Sequence, residues 1–252
     1  MKRILWLILT ICLFTIFIQP SKINAKEETA RTLQSDLLIT LLNPAISEAI
    51  EAYYGYHKSY GLYDIKILDI TRQKESAYSF RVKVQVNTFE EAHNPPYGKE
   101  TVVLLVETDK VKVIKFDHQG DAYERKIAKF YDETLLDIQN TFKLNLAAFE
   151  KLTYDQLFYK AEKEKQYKSL TDLLTDIVEI EINPEINTPY SPYKNVITPV
   201  TFINENEGYI LFKKADGTNV VFKVSKSDGK WSVVNKKSKQ GKKMKNDLLW
   251  YM

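Results

Sequence analysis

Imidazoles are the side chains in this chain best suited by type to chemistry, and all three, His57, His93 and His118, fall before residue 120 of 252. An imidazole ligates divalent metals and moves protons near neutral pH. His93 lies in a proline-rich turn between two strand-like runs, and His118 ends the following run. Antiparallel pairing of those runs would bring the two rings together, with Asp117 or Glu91 completing a site for a divalent metal. The same two rings would serve acid–base catalysis. The alternative is structural: His118 ends a strand, and His93 hydrogen-bonds across the Asn94-Pro95 turn to hold its shape. No pair of histidines four apart on a helix accompanies them. A partnered serine, a phosphate-cradling glycine loop and a nucleophile elbow are also missing from the sequence, so no cofactor is called for.

Aromatic and basic clusters supply the other candidates. Tyr53, Tyr54, Tyr56, Tyr60 and Tyr63 crowd one helix exit, and amphipathic rings of this kind build walls for sugar or peptide ligands or else cap a small core. Tyr97 lies in the same loop as His93 and Asn94. Lys236, Lys237, Lys239, Lys242, Lys243 and Lys245 precede the apolar ending Leu248 to Met252. Such a segment would bind anionic teichoic acid or phospholipid headgroups, or fold back as a solvated tail.

The elements that must position these residues are legible from period and punctuation. Leu37, Leu38, Leu41 and Leu42 read as one helix broken at Pro44, with a second helix capped by Asn43 and ended by Gly55. Ile65 to Ile70, Phe80 to Val86, Val102 to Val106 and Val111 to Phe116 read as four antiparallel strands. Ile127 to Leu146 reads as a long amphipathic helix, and two capping-box spacings follow, Thr153 with Gln156 and Ser169 with Asp172. A strand at 178–182 leads into a loop at 183–195 rich in proline and tyrosine. Strands are then expected at 199–203, 209–213, 220–225 and 231–235, with Asp216-Gly217 and Asp228-Gly229 as hairpin turns. The expected class is α+β twice over, a unit at 26–120 and another at 121–252, each in an order similar to cystatin-like or nuclear-transport-factor-like folds.

Ahead of both units, Lys2 and Arg3 precede an apolar run from Ile4 to Ile18, then Pro20 and Ala25. That order predicts a signal peptide over residues 1–25, cleaved after Ala25, and hence a secreted or extracytoplasmic protein. Ile23 is larger than such a site prefers, and an uncleaved leader would instead tether the chain to a membrane. The single cysteine, Cys12, lies inside the leader, and its removal together with Lys2, Arg3 and Lys22 leaves a neutral, cysteine-free chain. Neutrality argues against a nucleic-acid partner, which needs a basic excess to displace counterions. No disulfide can assist the fold, so burial alone must stabilise it.

Four separated segments carry a family resemblance: Leu37 to Pro44, Ala49 to Gly55 with Tyr53-Tyr54, His93 to Gly98, and Val111 to His118. Together they resemble domain-of-unknown-function family 3888, over roughly residues 33–120. The resemblance implies small secreted proteins of spore-forming Gram-positive bacteria, without a known activity, and it leaves the second unit unexplained. The reading that results is a secreted or envelope-associated, non-catalytic binding module. The alternatives are a metal-binding module or metal-dependent enzyme centred on His93 and His118, and a structural envelope or spore protein.

Overall fold

The computed structural model describes residues 21–90, 93–181, 198–214 and 216–243, with side chains from residue 30 onward. The leader run, Glu91, the loop 183–195 and the apolar ending therefore lie outside the described residues. Helix α1 spans Ser21–Tyr54. A sheet follows, made of β1 (Ser59–Tyr60), β2 (Lys66–Arg72), β3 (Phe80–Glu90), β4 (Asn94–Val106) and β5 (Val111–Gly120). Helix α2 (Ala122–Phe142) leads to β6 (Glu150–Leu152), α3 (Tyr154–Lys163) and α4 (Lys168–Glu181). The second sheet is completed by β7 (Val200–Asn204), β8 (Glu207–Lys213), β9 (Thr218–Ser227) and β10 (Lys230–Gln240). The class is α+β with two antiparallel sheets, as the patterning predicts.

The sequence predicts a break at Pro44, but α1 runs through it. Ile39, Leu42, Ile46, Ala49 and Ile50 form one continuous stripe, all buried against the first sheet. Burying side chains of this size contributes about 1.5–3 kcal/mol apiece, and together they outweigh the roughly 3 kcal/mol that an interior proline costs. Asn43 is no cap; its Oδ1 accepts the Tyr60 hydroxyl at 2.7 Å. The buried stripe is also rotated from the expected one, for Leu37 and Leu41 are exposed.

In the first sheet β3 and β4 are central, β5 forms one edge, and β1 and β2 share the other by pairing with different parts of β3. Buried and more open residues alternate along β3 because α1 covers one face. The second sheet, in the order β10-β9-β8-β7-β6, is covered on both faces. Leu157, Leu170, Leu174 and Ile177 of α3 and α4 pack on Ile210, Phe212, Phe222 and Val224. Phe130, Leu135 and Ile138 of α2 pack on Leu211 and Val221 from the other side. Double coverage explains the uninterrupted apolar runs in β8 and β9.

Three predicted details change here. Residues 178–181 end α4 instead of forming a strand, because Leu170, Leu174 and Ile177 keep a helical period onto the sheet. Ser169 lies inside α4 and donates to Gly229 O at 3.2 Å, so it does not cap the helix. β10 continues to Gln240, which places Lys236, Lys237 and Lys239 on an edge strand rather than in a tail. The Thr153 capping box forms as expected, with both reciprocal bonds. The Asp228-Gly229 turn has positive φ at both positions, as a primed two-residue hairpin requires.

Candidate functional site

Glu100 on β4 is fully buried on the sheet face that packs against α1. Its neighbours on that face, Val102 and Leu104, are core residues. A carboxylate cannot lie there alone, since desolvation penalises an unpaired charge heavily. Three groups satisfy it. Tyr54, in the last turn of α1, donates its hydroxyl to Glu100 Oε1 at 2.7 Å, and Thr88 on β3 donates at 3.0 Å. His118 on β5 sets Nδ1 at 2.9 Å from Glu100 Oε2, and its Nε2 meets Glu124 Oε2 of α2 at 3.0 Å. Gly98, opposite Thr88 in the ladder, leaves room for the cluster, because a Cβ there would strike Glu100, Thr88 and Tyr54.

Burial works to lower the His118 pKa, but the hydrogen bonds and charges of Glu124 and Glu100 outweigh it and hold the imidazole above its ordinary value. Burial, with Glu100 adding to it, holds the Tyr54 phenol far above its ordinary range against a smaller pull from Thr88. The imidazole is thus clamped between two carboxylates. One ion cannot bind both nitrogens, since Nδ1 and Nε2 diverge toward different partners. Tyr53 stacks over the ring at 4.8 Å and on Phe116 at 5.1 Å. The network ties the ends of α1, β3, β4 and β5 to the first turn of α2.

That anchor holds a cleft on the opposite face of the sheet. Asn87, Lys99 and Gln119 occupy paired register positions on β3, β4 and β5 and project side by side into it. Tyr63 and Asp64 form one wall, and His93, Tyr97 and Asp121 form the rest of a space of about 540 Å³. The His93 turn is held tightly. His93 has φ 62°, its ring lies 4.1 Å from that of Phe89, and its carbonyl accepts the Tyr97 hydroxyl at 2.8 Å. Asp121 caps α2 through the Glu124 amide at 2.8 Å and accepts the Tyr97 amide at 3.2 Å, so one carboxylate joins the helix start to the loop.

The candidate residues therefore separate into three places. His93 and Tyr97 line the cleft, and Asn94 opens β4 as the ladder partner of Glu90. His118 and Tyr54 belong to the buried network, with Tyr53 stacked on its outer side. Asp117 faces away from His118 by strand alternation and pairs with Lys115 at 2.5 Å. Among the described residues no three His, Cys, Asp or Glu side chains group as a metal site. Lys239, Lys242 and Lys243 lie at the far end of the second sheet. There the Lys242 carbonyl accepts buried Lys213 Nζ at 2.6 Å.

Sequence reasoning missed Glu100, Thr88 and Glu124. The first had a signal, a charge at the strand parity of Val102 and Leu104. It also missed the partners of His57, which bonds Glu51 on α1 at 2.8 Å and Glu162 on α3 at 3.0 Å. These contacts join the two sheets' helices, with Tyr159 donating to Glu51 at 2.8 Å and Gln156 donating to the Tyr54 carbonyl at 3.0 Å.

The buried tyrosine, the histidine turn and the last strand of this site all fall in one matching segment. Residues 34–119 match a family described as protein of unknown function, DUF3888. The DUF3888 segment covers α1 from its second half through β5 and leaves α2 and the second sheet outside. No curated protein and no solved structure matches the chain. Among the described residues no helix is long and apolar enough to cross a membrane.

Proposed function

We propose that the protein works outside the cytoplasm as a non-catalytic binding module, with the cleft at the end of the first sheet as its ligand site. The observation that carries this reading is the convergence of Asn87, Lys99 and Gln119 with the rings of Tyr63 and Tyr97 in one cleft of about 540 Å³. That volume lies within the range of small-ligand sites, and aromatic faces beside amide, ammonium and carboxylate groups suit a hydroxyl-rich ligand such as a short saccharide. The extracytoplasmic placement rests on the leader pattern of residues 2–25. His118 serves this site as a positioning residue, by fixing the strand and helix ends on which the cleft is built.

The test is thermal melting with a panel of envelope saccharides and muropeptides, beside Tyr97→Ala and Lys99→Ala variants. A ligand that binds only the folded chain raises the melting temperature by mass action, and both variants are expected to lose that rise. A panel that leaves the melting temperature unmoved, or a rise that both variants retain, defeats the cleft as the site.

A second reading is favoured by β10. Lys237 and Lys239 share one face of this edge strand, Lys242 and Lys243 follow, and all four are exposed. Among the described residues none of the four side chains makes an ion pair. This band suits an anionic envelope polymer or lipid headgroups, and salt would weaken the contact.

A further inference from the structure

We infer that β5 is a self-association edge, by which two copies of the chain join their first sheets antiparallel across a two-fold axis. β5 is the outer strand of its sheet, and Lys112, Val113, Ile114 and Lys115 are all exposed. An exposed edge of this length is ordinarily blunted by lysines or bulges. β5 has both, with Ile114 as the bulged residue between Val113 and Lys115. The bulge shifts the alternation, so Val111, Val113, Phe116 and His118 point to the α1 side while Lys112, Lys115 and Asp117 point outward.

That shifted pattern complements itself. Setting residue 112 of one copy opposite residue 117 of the other matches faces along 111–118, with Val113 against Phe116 and Val111 against His118. On the outer face it places Lys112 against Asp117 twice, once on each side of the axis. Sliding by two residues would set Lys112 against Lys115, two like-charged pairs in place of two opposite ones. Lys112 has no ion-pair partner among the described residues, and Asp117 uses only Oδ2 toward Lys115, so Oδ1 is open to a second lysine.

Beside this edge, Ala45, Ala49, Ala52 and Tyr53 of α1 overhang Val113 and Phe116 in a groove of about 660 Å³ whose lining is apolar apart from Glu48 and Lys112. In the register above, the partner's β5 would extend the floor of that groove and cover Val113 and Ile114. The opposite sheet edge offers no equal run, because β2 is seven residues long and a register joining Lys66 to Asp69 overlaps only 66–69. A two-fold contact closes on itself, so the expected product is a dimer and not a fibre.

Sedimentation equilibrium of the purified protein tests this, beside Asp117→Lys, Lys112→Asp and the double exchange. Both residues are exposed, and melting checks that each variant is folded. The expected result is a monomer–dimer equilibrium whose dissociation constant rises roughly tenfold in each single variant and returns in the double exchange. A protein that stays monomeric at hundreds of micromolar, or a dimer indifferent to all three variants, overturns the proposal. A variant series in which the single changes weaken association and the double exchange fails to restore it overturns the register as well.

Discussion

Glu100 shows how a single polar residue can organise the end of a sheet. Its carboxylate is fully buried, and among the described residues the basic group paired with it is His118, itself bracketed by Glu124. Removing the imidazole leaves a buried carboxylate uncompensated. His118→Ala is therefore expected to lower stability by about 3 kcal/mol, read by urea unfolding, while Glu100→Gln, which keeps hydrogen bonds and removes the charge, should lose less. A His118→Ala loss that stays unchanged in the Glu100→Gln background would show that packing of the ring, and not its charge, is what matters. The sequence contains half of this site. A glutamate at core parity in β4 is readable from alternation, and so is the clustering of histidines. The pairing is not, because Tyr54 and His118 lie 46 and 18 residues from Glu100 and meet it only through strand register. For the same reason the surroundings of His93 and His118 were not readable from spacing: the first lines the cleft, and the second is held between Glu100 and Glu124.

At the scale of elements, α1 and α3 meet through side chains that titrate. Glu162 and Glu51 hold His57 above its ordinary 6.5, with burial working against them. Burial works to raise Glu51, but hydrogen bonds from Tyr159 and His57 outweigh it and hold the carboxyl below its ordinary 4.5. A raised histidine gives stability that is complete below 6.5 and lost as pH climbs through the folded value. A lowered carboxylate gives stability that is complete above 4.5 and lost as pH falls through the folded value. The contribution of this contact thus peaks between about pH 4.5 and 6.5. The melting-temperature gap between the protein and His57→Ala is expected to be widest near pH 5.5 and to shrink steadily by pH 8; a gap that is flat with pH would assign His57 a packing role only. Element types were largely legible because periods of 2 and 3.6 differ sharply. The exceptions have local causes. Pro44 is tolerated because the stripe around it is buried, and residues 178–181 stay helical because they continue the turn set by Leu170, Leu174 and Ile177 on the second sheet.

Across the whole molecule, one sheet is covered on one face and the other on both, and the sequence carries that difference openly. β3 alternates, whereas β8 and β9 carry the unbroken apolar runs Tyr209 to Phe212 and Val220 to Phe222, a contrast that distinguishes the layers though not which helix supplies each cover. The exposed lysines of β10 give the second sheet a basic edge. If that edge engages anionic polymer, protein bound to cell walls or anionic vesicles should be released as salt rises from 0.05 to 0.5 M, with the midpoint lowered in a Lys237→Gln, Lys239→Gln, Lys243→Gln variant; retention that ignores salt would count against it. Lys213 of β8 is wholly buried, and its ammonium contacts Asp137 at 2.5 Å and the carbonyl of Lys242 at 2.6 Å. Its acceptor thus comes 29 residues later in the chain. A growing polypeptide that has not yet emerged through residue 242 carries an ammonium short of a ligand at the place where the second sheet must close. Closure of that sheet is therefore coupled to the docking of the segment that follows β10, which acts as a latch on the ammonium rather than as an appendage.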